Sequence, residues 1–271
     1  MSFMRDGKLV RLFWFLFFFA LISVSTVLVI FDYCPIATIP VLRYEFIGND
    51  QPKNPYAVNN DNFLRQMQFL KDGEYNVIDV ETLIKLLKSK EPLPRNTVVL
   101  TFDVGYESCM EFIQGQLSQH RFKGTIFFST DLLDQAGYLT KDQLKKVASN
   151  NANITIASYG RRPEVDMSRM SESDAYAQAF TSRTTLTEIL EKKIFYFAYP
   201  NGKYSAVAMQ KVKEIGYKAG FALMKGKSYR NIFAIRRVPI MAKDNFIHFK
   251  LKCWGNYLWV KDWWEQHFKK K

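Results

Sequence analysis

The stretch Thr97–Tyr106 reads TVVLTFDVGY, an apolar run that ends in aspartate, valine, glycine and tyrosine. Its first six residues, Thr97–Phe102, are mostly β-branched, aliphatic or aromatic, which is typical of a strand. The glycine marks a turn directly after that strand. We therefore predict a strand over Thr97–Phe102 and a loop that starts at Asp103.

Segments of the same kind recur on both sides of this stretch. We predict strands at Thr38–Phe46, Asn76–Ile78, Gly124–Phe128, Asn153–Ala157, Phe195–Tyr199, Lys218–Leu223 and Ala234–Pro239. Helical patterns lie between them, for example Phe63, Met67 and Leu70, whose spacing places them on one helix face. This alternation implies right-handed crossovers and a parallel sheet. Because no Pro/Gly/Ser-rich linker interrupts it, we predict one α/β domain, a closed barrel with its helices outside.

The carboxyl ends of the strands are where a parallel barrel carries its chemistry. The residues that directly follow predicted strands are Glu45, Asp103–Tyr106, Ser129, Ser158–Arg162 and Tyr199–Gly202. We expect a functional site to be assembled from this set.

The hexapeptide Thr101–Tyr106 resembles the Thr-Phe-Asp-Asp-Gly-Tyr signature of the polysaccharide deacetylases, a NodB-like group of carbohydrate esterases. Phe63–Leu70 and Phe197–Tyr204 are similar to segments of the subgroup that acts on poly-N-acetylglucosamine. The resemblance covers residues 36–255 and implies a NodB-like distorted (β/α) barrel.

The resemblance also implies a reaction, the hydrolysis of N-acetyl groups on an amino-sugar polymer. The family uses zinc or another divalent metal held by one carboxylate and two imidazoles. Asp103 matches the family's general base. Val104 stands where the family has its carboxylate ligand, and Ser158–Pro163 contains no histidine where the family has two. We therefore expect no metal site and regard Asp103 as a remnant base.

Asp103 requires a partner of opposite charge if it is buried, because burying an unpaired carboxylate is energetically costly. The sequence leaves more than one partner open. Arg161 or Arg162 could supply a partner cation, or both could point to solvent. A carboxylate-only site for a hard cation would use Glu45, Asp103, Glu164 and Asp166. Two nearby guanidinium groups would repel such an ion.

The residues expected to line a glycan cleft are Tyr106, Tyr159, Arg161, Arg162, Tyr199, Asn201 and His248. Each tyrosine could instead be part of the core. Two functions stay open. One is a metal-free pseudoenzyme that binds an N-acetylated envelope polysaccharide or escorts a synthesis or export partner. The other is a divergent deacetylase that uses Asp103 as its general base.

The amino-terminal residues predict a membrane anchor. Residues 12–31 carry no charge and are long enough to span a bilayer, while Arg5, Lys8 and Arg11 precede them. The positive-inside rule then predicts a cytoplasmic segment 1–11 and an outward-facing domain. A cleaved signal peptide is the alternative.

The net charge of +12 and the carboxyl-terminal tail bear on partners. Excess positive charge favours anionic partners, but no nucleic-acid-binding motif is visible and we expect no nucleic-acid partner. The tail, residues 256–271, is rich in tryptophan and lysine. It could lie at a membrane interface, or it could form a last helix whose tryptophans pack on the barrel.

Overall fold

A computed structural model describes residues 10–19, 38–51, 53–89, 91–150, 153–223 and 231–268. The chain divides into two compact units, Met1–Ile36 and Ala37–Lys271. Of the first unit, a single helix, α1 (residues 10–19), lies within the described part. All other described elements belong to the second unit.

The prediction of a membrane-spanning helix is wrong. The described part of helix α1 comprises residues 10–19 and covers about 15 Å at 1.5 Å per residue, half of a bilayer's hydrocarbon thickness. Within the described ranges, no helix combines the length and apolarity that crossing a membrane requires. A single-pass protein of the cell membrane is therefore not supported, and residues 20–31 of the predicted segment lie outside the described residues.

The second unit is a parallel barrel, as the alternating sequence pattern predicts. Its strands are β1 (Val41–Tyr44), β2 (Phe46–Ile47), β3 (Ala57–Val58), β4 (Asn76–Val77), β5 (Thr97–Val104), β6 (Gly124–Phe128), β7 (Ile154–Ser158), β8 (Tyr196–Ala198), β9 (Ala219–Ala222) and β10 (Ile235–Pro239). Among the described residues, seven of them form a ring in the order β1-β10-β9-β8-β7-β6-β5, and β5 pairs with β1 to close it. Strand β4 extends the sheet beside the start of β5, while β2 and β3 form a separate parallel pair.

Helices cover the outside of the ring. They are α2 (Asn60–Asp72), α3 (Val80–Lys88), α4 (Glu107–His120), α5 (Lys141–Asn150), α6 (Glu172–Leu190), α7 (Ala206–Glu214), α8 (Phe246–Lys252) and α9 (Tyr257–Phe268). Phe63, Met67 and Leu70 of α2 are buried in one apolar cluster with Leu42 and Leu100 of the strands, as their spacing predicts. The ordered apolar stripe therefore holds the helix against the outer face of the sheet.

The first predicted strand, Thr38–Phe46, is divided in the structure. Strand β1 ends at Tyr44, and Phe46 and Ile47 pair with Ala57 and Val58 instead of continuing in the barrel. The break falls at Glu45, whose carboxylate accepts a hydrogen bond from the side chain of Arg43. This departure brings Glu45 to the carboxyl end of the barrel.

Helix α9 contacts the rest of the domain through one apolar and one charged side chain. Leu258 and Asp262 are buried, and Asp262 accepts a hydrogen bond from Arg236 of β10 at 2.6 Å. Trp259, Trp263 and Trp264 remain about half exposed. The tail thus forms a last helix, one of the two alternatives, and these three tryptophans are not buried in it.

Alternation along the strands separates two environments. On β1, Leu42 and Tyr44 face the helices, and the Tyr44 ring stacks on Phe102 of β5 at 5.5 Å. Arg43 lies between Leu42 and Tyr44, and Asp103 directly follows Phe102. Because successive side chains of a strand point to opposite faces, Arg43 and Asp103 point to the barrel interior. Charged groups inside a closed parallel barrel are unusual, and they mark the end of the ring where β1, β5 and β10 converge.

Candidate functional site

Asp103 lies inside the carboxyl end of the barrel, near the end of β5. Its side chain has no solvent exposure. Strand β1 pairs directly with β5 in the register Arg43 to Thr101, and β10 pairs with β1 in the register Arg237 to Val41. This pairing brings two arginines, which are far from Asp103 in sequence, to the same interior carboxylate.

Both oxygens of Asp103 are bound by guanidinium groups. Arg237 donates from Nη1 to Oδ1 at 2.5 Å and from Nη2 to Oδ2 at 3.1 Å, which is a bidentate pair. Arg43 donates from Nε to Oδ2 at 2.5 Å and from Nη2 to Glu45. The cluster therefore contains two guanidinium groups and two carboxylates, and its formal charges cancel.

The electrostatics of the cluster follow from burial and this pairing. Burial alone would raise the pKa of Asp103, but the positive charges of Arg237 and Arg43 and their hydrogen bonds hold it below its ordinary value. Burial would lower the pKa of Arg43, yet the neighbouring Asp103 raises it overall. Asp103 and Arg43 are thus both held in their charged forms.

Neither arginine that the sequence suggested is the partner of Asp103. Arg161 donates from Nε and Nη2 to Asp131, each at 3.1 Å, and its side chain is 42% exposed. Arg162 is exposed. The signal that sequence reasoning missed was an arginine within each of two buried strands, Arg43 in β1 and Arg237 in β10.

A cavity of about 160 Å³ opens above this cluster at the barrel mouth. It is lined by Arg43, Glu45, Val104, Tyr106, Tyr138, Tyr159, Pro163, Glu164 and Asn201. The Tyr106 ring stacks on Tyr138 with the ring centroids 5.0 Å apart. The Tyr159 hydroxyl accepts a hydrogen bond from the backbone N–H of Asn201 at 3.0 Å. We call this space the mouth cavity.

Three predicted glycan-binding residues, Tyr106, Tyr159 and Asn201, line the mouth cavity, and the others lie elsewhere. Tyr199 is fully buried, and its hydroxyl donates to the carbonyl of Phe233 at 2.9 Å. His248 is exposed on α8 and lines a different cavity, of about 460 Å³, beside β10 and α9. Arg161 and Arg162 do not line the mouth cavity.

Residues 90–220 match the family model described as polysaccharide deacetylase. The matched segment makes up 131 of the chain's 271 residues. A Bacillus subtilis (strain 168) protein, YxkH, whose name assigns it provisionally to the polysaccharide deacetylases, is 25% identical over 214 residues, which cover 75% of this chain and 72% of that protein.

The chain is also similar to the poly-beta-1,6-N-acetyl-D-glucosamine N-deacetylase of Escherichia coli (strain K12), 22% identical over 211 residues. The match covers 63% of this chain but only 31% of that protein. The Streptococcus pyogenes deacetylase PplD in complex with acetate has a TM-score of 0.71 at 24% identity, with 81% of this chain and 99% of that chain covered. IcaB from Ammonifex degensii has a TM-score of 0.68 at 18% identity, covering 81% and 97%. These structural matches confirm the barrel fold.

The residues at this end of the barrel do not fit the divalent metal that the similarity to polysaccharide deacetylases implies. In the part of the chain that the structure describes, no three His, Cys, Asp or Glu side chains come together as metal ligands. A metal ligand needs a free lone pair on an accessible atom, whereas the oxygens of Asp103 are taken and the Arg43 guanidinium bridges Asp103 and Glu45. The positive charge of Arg43 would repel a cation at this position.

Of the other proposed carboxylates, Glu164 lines the mouth cavity with Glu45, but Asp166 does not. Ser158, at the start of the segment where the family has its histidines, is hydrogen-bonded to Ser182 at 2.5 Å. Asp166 accepts from Ser168 and from Lys203, and it does not line the mouth cavity. The carboxylate-only cation site is therefore not assembled.

The turn after Asp103 keeps an unusual backbone. Val104 has a φ of 73° and Gly105 a φ of 86°, both in the left-handed region. A β-branched residue rarely adopts this conformation, and strain of this kind costs roughly 1–3 kcal/mol. Asparagine or aspartate tolerates it better. The turn therefore has a shape suited to an acidic residue while carrying a side chain that offers no metal ligand.

Proposed function

We propose that this chain is a metal-free pseudoenzyme of cell-envelope or exopolysaccharide metabolism that binds an N-acetylated amino-sugar polymer in the mouth cavity. The observation that carries this proposal is the state of Asp103. A general base must reach a water molecule, and its pKa should lie near the working pH. Asp103 has no exposure, its oxygens accept three hydrogen bonds, and its pKa is lowered.

Binding is supported by the composition of the mouth cavity. Small-molecule sites combine aromatic walls with a few placed polar groups. Here Tyr106 and Tyr138 give an aromatic wall, and the carboxylates of Glu45 and Glu164 are acceptors suited to sugar hydroxyls. The E. coli relative is named for poly-beta-1,6-N-acetyl-D-glucosamine, and we propose a polymer of that class as the ligand. A polysaccharide synthesis or export complex would be the setting for such binding.

The second candidate is a divergent N-deacetylase that uses Asp103 as its base. It is favoured by the presence of an aspartate at the end of β5, in the segment that matches the family. It requires Asp103 to lose its contacts with both arginines during the reaction. Among the residues that the structure describes, no three His, Cys, Asp or Glu side chains come together to hold the ion that such a reaction would use.

One experiment separates the two candidates. The full chain is titrated with β-1,6-linked N-acetylglucosamine oligomers by calorimetry, and acetate release is measured in parallel with and without added zinc. We expect saturable binding and no acetate release above the protein-free background. Zinc-dependent acetate release that disappears in Asp103→Asn, with binding retained, would establish the deacetylase and overturn the proposal.

A further inference from the structure

A second cavity, of about 460 Å³, lies beside the barrel, and we call it the side cavity. It is lined by β10, by the segment that follows β10, and by residues of helices α8 and α9. None of the described residues that line it also lines the mouth cavity. Its volume is in the range of small-molecule sites, about 300–1,000 Å³. The side cavity is therefore a separate candidate site that the proposed glycan binding leaves unused.

The lining of the side cavity has an excess of positive charge. Its cationic residues are Arg236, Arg237, Lys243, Lys252 and Lys261, and its carboxylate is Asp244. Three of these cations are paired, Arg236 with Asp262, Arg237 with Asp103 and Lys252 with Asp244. Lys243 and Lys261 form no ion pair with any residue that the structure describes. Within the described residues, two positive charges of the lining are therefore uncompensated.

The buried ammonium group of Lys252 is affected by both uncompensated lysines. Its side chain is 8% exposed, and its Nζ donates to the Pro239 carbonyl at 2.7 Å and to Asp244. The pKa of Lys252 is lowered by burial and by the charges of Lys261 and Lys243, although Asp244 acts in the opposite direction. The three ammonium groups therefore repel one another across one cavity, and an anion bound there would reduce this repulsion.

The rest of the lining is mostly apolar. It includes Val238 of β10, Leu251 of α8 and Leu258 of α9. Ile247 lies one helical turn before Leu251 on the same face of α8, and the two residues are 67% and 48% exposed. The side cavity thus has a cationic part and an apolar part, and apolar side chains continue beside it on the surface.

Charge balance indicates which acidic group fits the cationic part. Two uncompensated ammonium groups match a phosphate monoester, which carries about 1.5 to 2 negative charges at pH 7. A carboxylate would leave one ammonium group unbalanced, and a neutral sugar would leave both. Lysine is a common partner of phosphate, and its three N–H donors find acceptors in the phosphate oxygens. The apolar part of the lining then favours an apolar substituent on the ester.

We propose that the side cavity binds a phosphate monoester that carries an alkyl chain, with Lys243 and Lys261 binding the phosphate. The alkyl chain packs against Val238, Leu251 and Leu258. This binding is independent of the glycan proposed for the mouth cavity. An ester of this class occurs both as a free amphiphile and as the headgroup of an anionic lipid, and the two sources share the chemistry that the cavity recognises.

The test is calorimetric titration of the full chain with three probes, inorganic phosphate, octyl phosphate and octyl glucoside. We expect octyl phosphate to bind at least about tenfold more tightly than inorganic phosphate, a factor that burial of two methylene groups supplies. Octyl glucoside has the same alkyl chain without the charge. It should bind at least about tenfold more weakly than octyl phosphate, because it makes no charge-assisted hydrogen bonds.

Variants of the two lysines test the assignment of the phosphate ligands. Lys243→Met and Lys261→Met should each weaken octyl phosphate binding about tenfold, because each removes one charged donor. Neither side chain is part of an ion pair among the described residues, so both variants should keep the wild-type circular dichroism spectrum. Lys145→Met makes the same change in net charge at an exposed lysine of α5 outside the cavity lining, and it should leave the affinity unchanged.

Vesicles of phosphatidylcholine with and without phosphatidic acid distinguish the two sources of the ester. Cosedimentation of the full chain that requires phosphatidic acid, and that both lysine variants reduce, supports the proposal and assigns the lipid. Octyl phosphate binding without such cosedimentation supports the proposal and assigns the free amphiphile.

Four results would overturn the proposal in whole or in part. Absence of saturable octyl phosphate binding refutes it. Equal binding of octyl phosphate and octyl glucoside refutes the phosphate assignment, and equal binding of octyl phosphate and inorganic phosphate refutes the alkyl chain. If folded Lys243→Met and Lys261→Met match Lys145→Met in affinity, the role of the two lysines is refuted. The comparison of the three probes on the wild type is decisive even where a variant does not fold.

Discussion

Replacing Arg237 by methionine tests whether the Asp103 cluster is a buried ion network. Methionine fills similar space but removes both hydrogen bonds that Arg237 gives to Asp103. The remaining cluster holds two carboxylates and one guanidinium, with a net negative charge inside the barrel. Removing one partner of a buried pair typically costs about 3–5 kcal/mol. We expect about 3 kcal/mol, the lower end, because Arg43 still contacts Asp103.

A matched control comes from the surface of the same domain. Arg161 also binds one carboxylate through two nitrogens, at 3.1 Å each, but its side chain is 42% exposed. Exposed pairs contribute about 0–1 kcal/mol, so Arg161→Met should lower the free energy of unfolding by no more than that. The two variants share the chemical change and differ in burial. Urea denaturation followed by tryptophan fluorescence measures both, since urea leaves the ionic strength unchanged.

The difference in stability between the wild type and Arg237→Met should change with pH in a defined direction. In the wild type the pKa of Asp103 is lowered on folding, so its contribution to stability is present above the unfolded value of about 3.8 and is lost as the pH falls through the folded value. In Arg237→Met the pKa of Asp103 should rise, because Arg237 is the largest charge that lowers it. The gap in stability between wild type and variant should therefore be largest at pH 7 and shrink toward pH 4. Adding Asp103→Asn to the variant should restore part of the loss at pH 7.

Two results would refute this reasoning. A loss in Arg237→Met equal to that in Arg161→Met at pH 7 would mean that burial of the pair has no energetic consequence. A stability gap that widens toward acid pH would mean that the carboxylate of Asp103 is not the group left uncompensated. A single-step denaturation curve for the full chain is required for either comparison, because a free energy of unfolding presupposes two-state behaviour.

Three further predictions concern the turn after Asp103 and its controls. Val104→Asp should not bind zinc, and metal analysis after dialysis should find no stoichiometric ion, because the guanidinium groups still hold Asp103. Gly105→Ala should destabilise the domain by more than about 2 kcal/mol in urea denaturation, because φ is 86° and a new Cβ would lie 2.3 Å from Phe128. Gly115→Ala, in a helix with nothing within 4 Å of the new methyl group, should instead raise stability by up to about 1 kcal/mol.

Much of the fold could be predicted from sequence because it follows from local patterns. The strand predicted at Gly124–Phe128 coincides with β6, and the apolar stripe of α2 is buried as expected. The division of Thr38–Phe46 could not be predicted, since it depends on pairing between Phe46 and a segment that has no periodic pattern of its own. The membrane prediction is wrong for another reason: the apolar composition of residues 12–31 does not by itself establish a helix that is long and apolar enough to cross a membrane, and the described ranges contain none.

Only Asp103, and not its two arginine partners, could be predicted from the sequence. Asp103 follows from its position at the end of an apolar strand, but its partners lie 60 and 134 residues away in sequence. Their approach depends on closure of the ring between β1 and β5, which no local pattern encodes. Arg161 has the expected loop position, yet Asp131, brought close by the pairing of β6 with β7, binds its guanidinium at the surface. The face of the strand on which an arginine lies therefore predicts the partner of Asp103 better than its proximity to the end of a strand.

A stronger rule for such chains follows from barrel geometry. In a closed parallel barrel one face of each strand meets the helices and the other meets the interior, so an arginine within a strand has no direct route to water. It must be paired, and the same holds for a carboxylate at the interior end of a neighbouring strand. Arg43, Arg237 and Asp103 satisfy this requirement together. Any cation placed at Asp103 would have to displace both guanidinium groups and leave them uncompensated, so a metal site here requires changes on β1 and β10 as well as new ligands on β5 and β7.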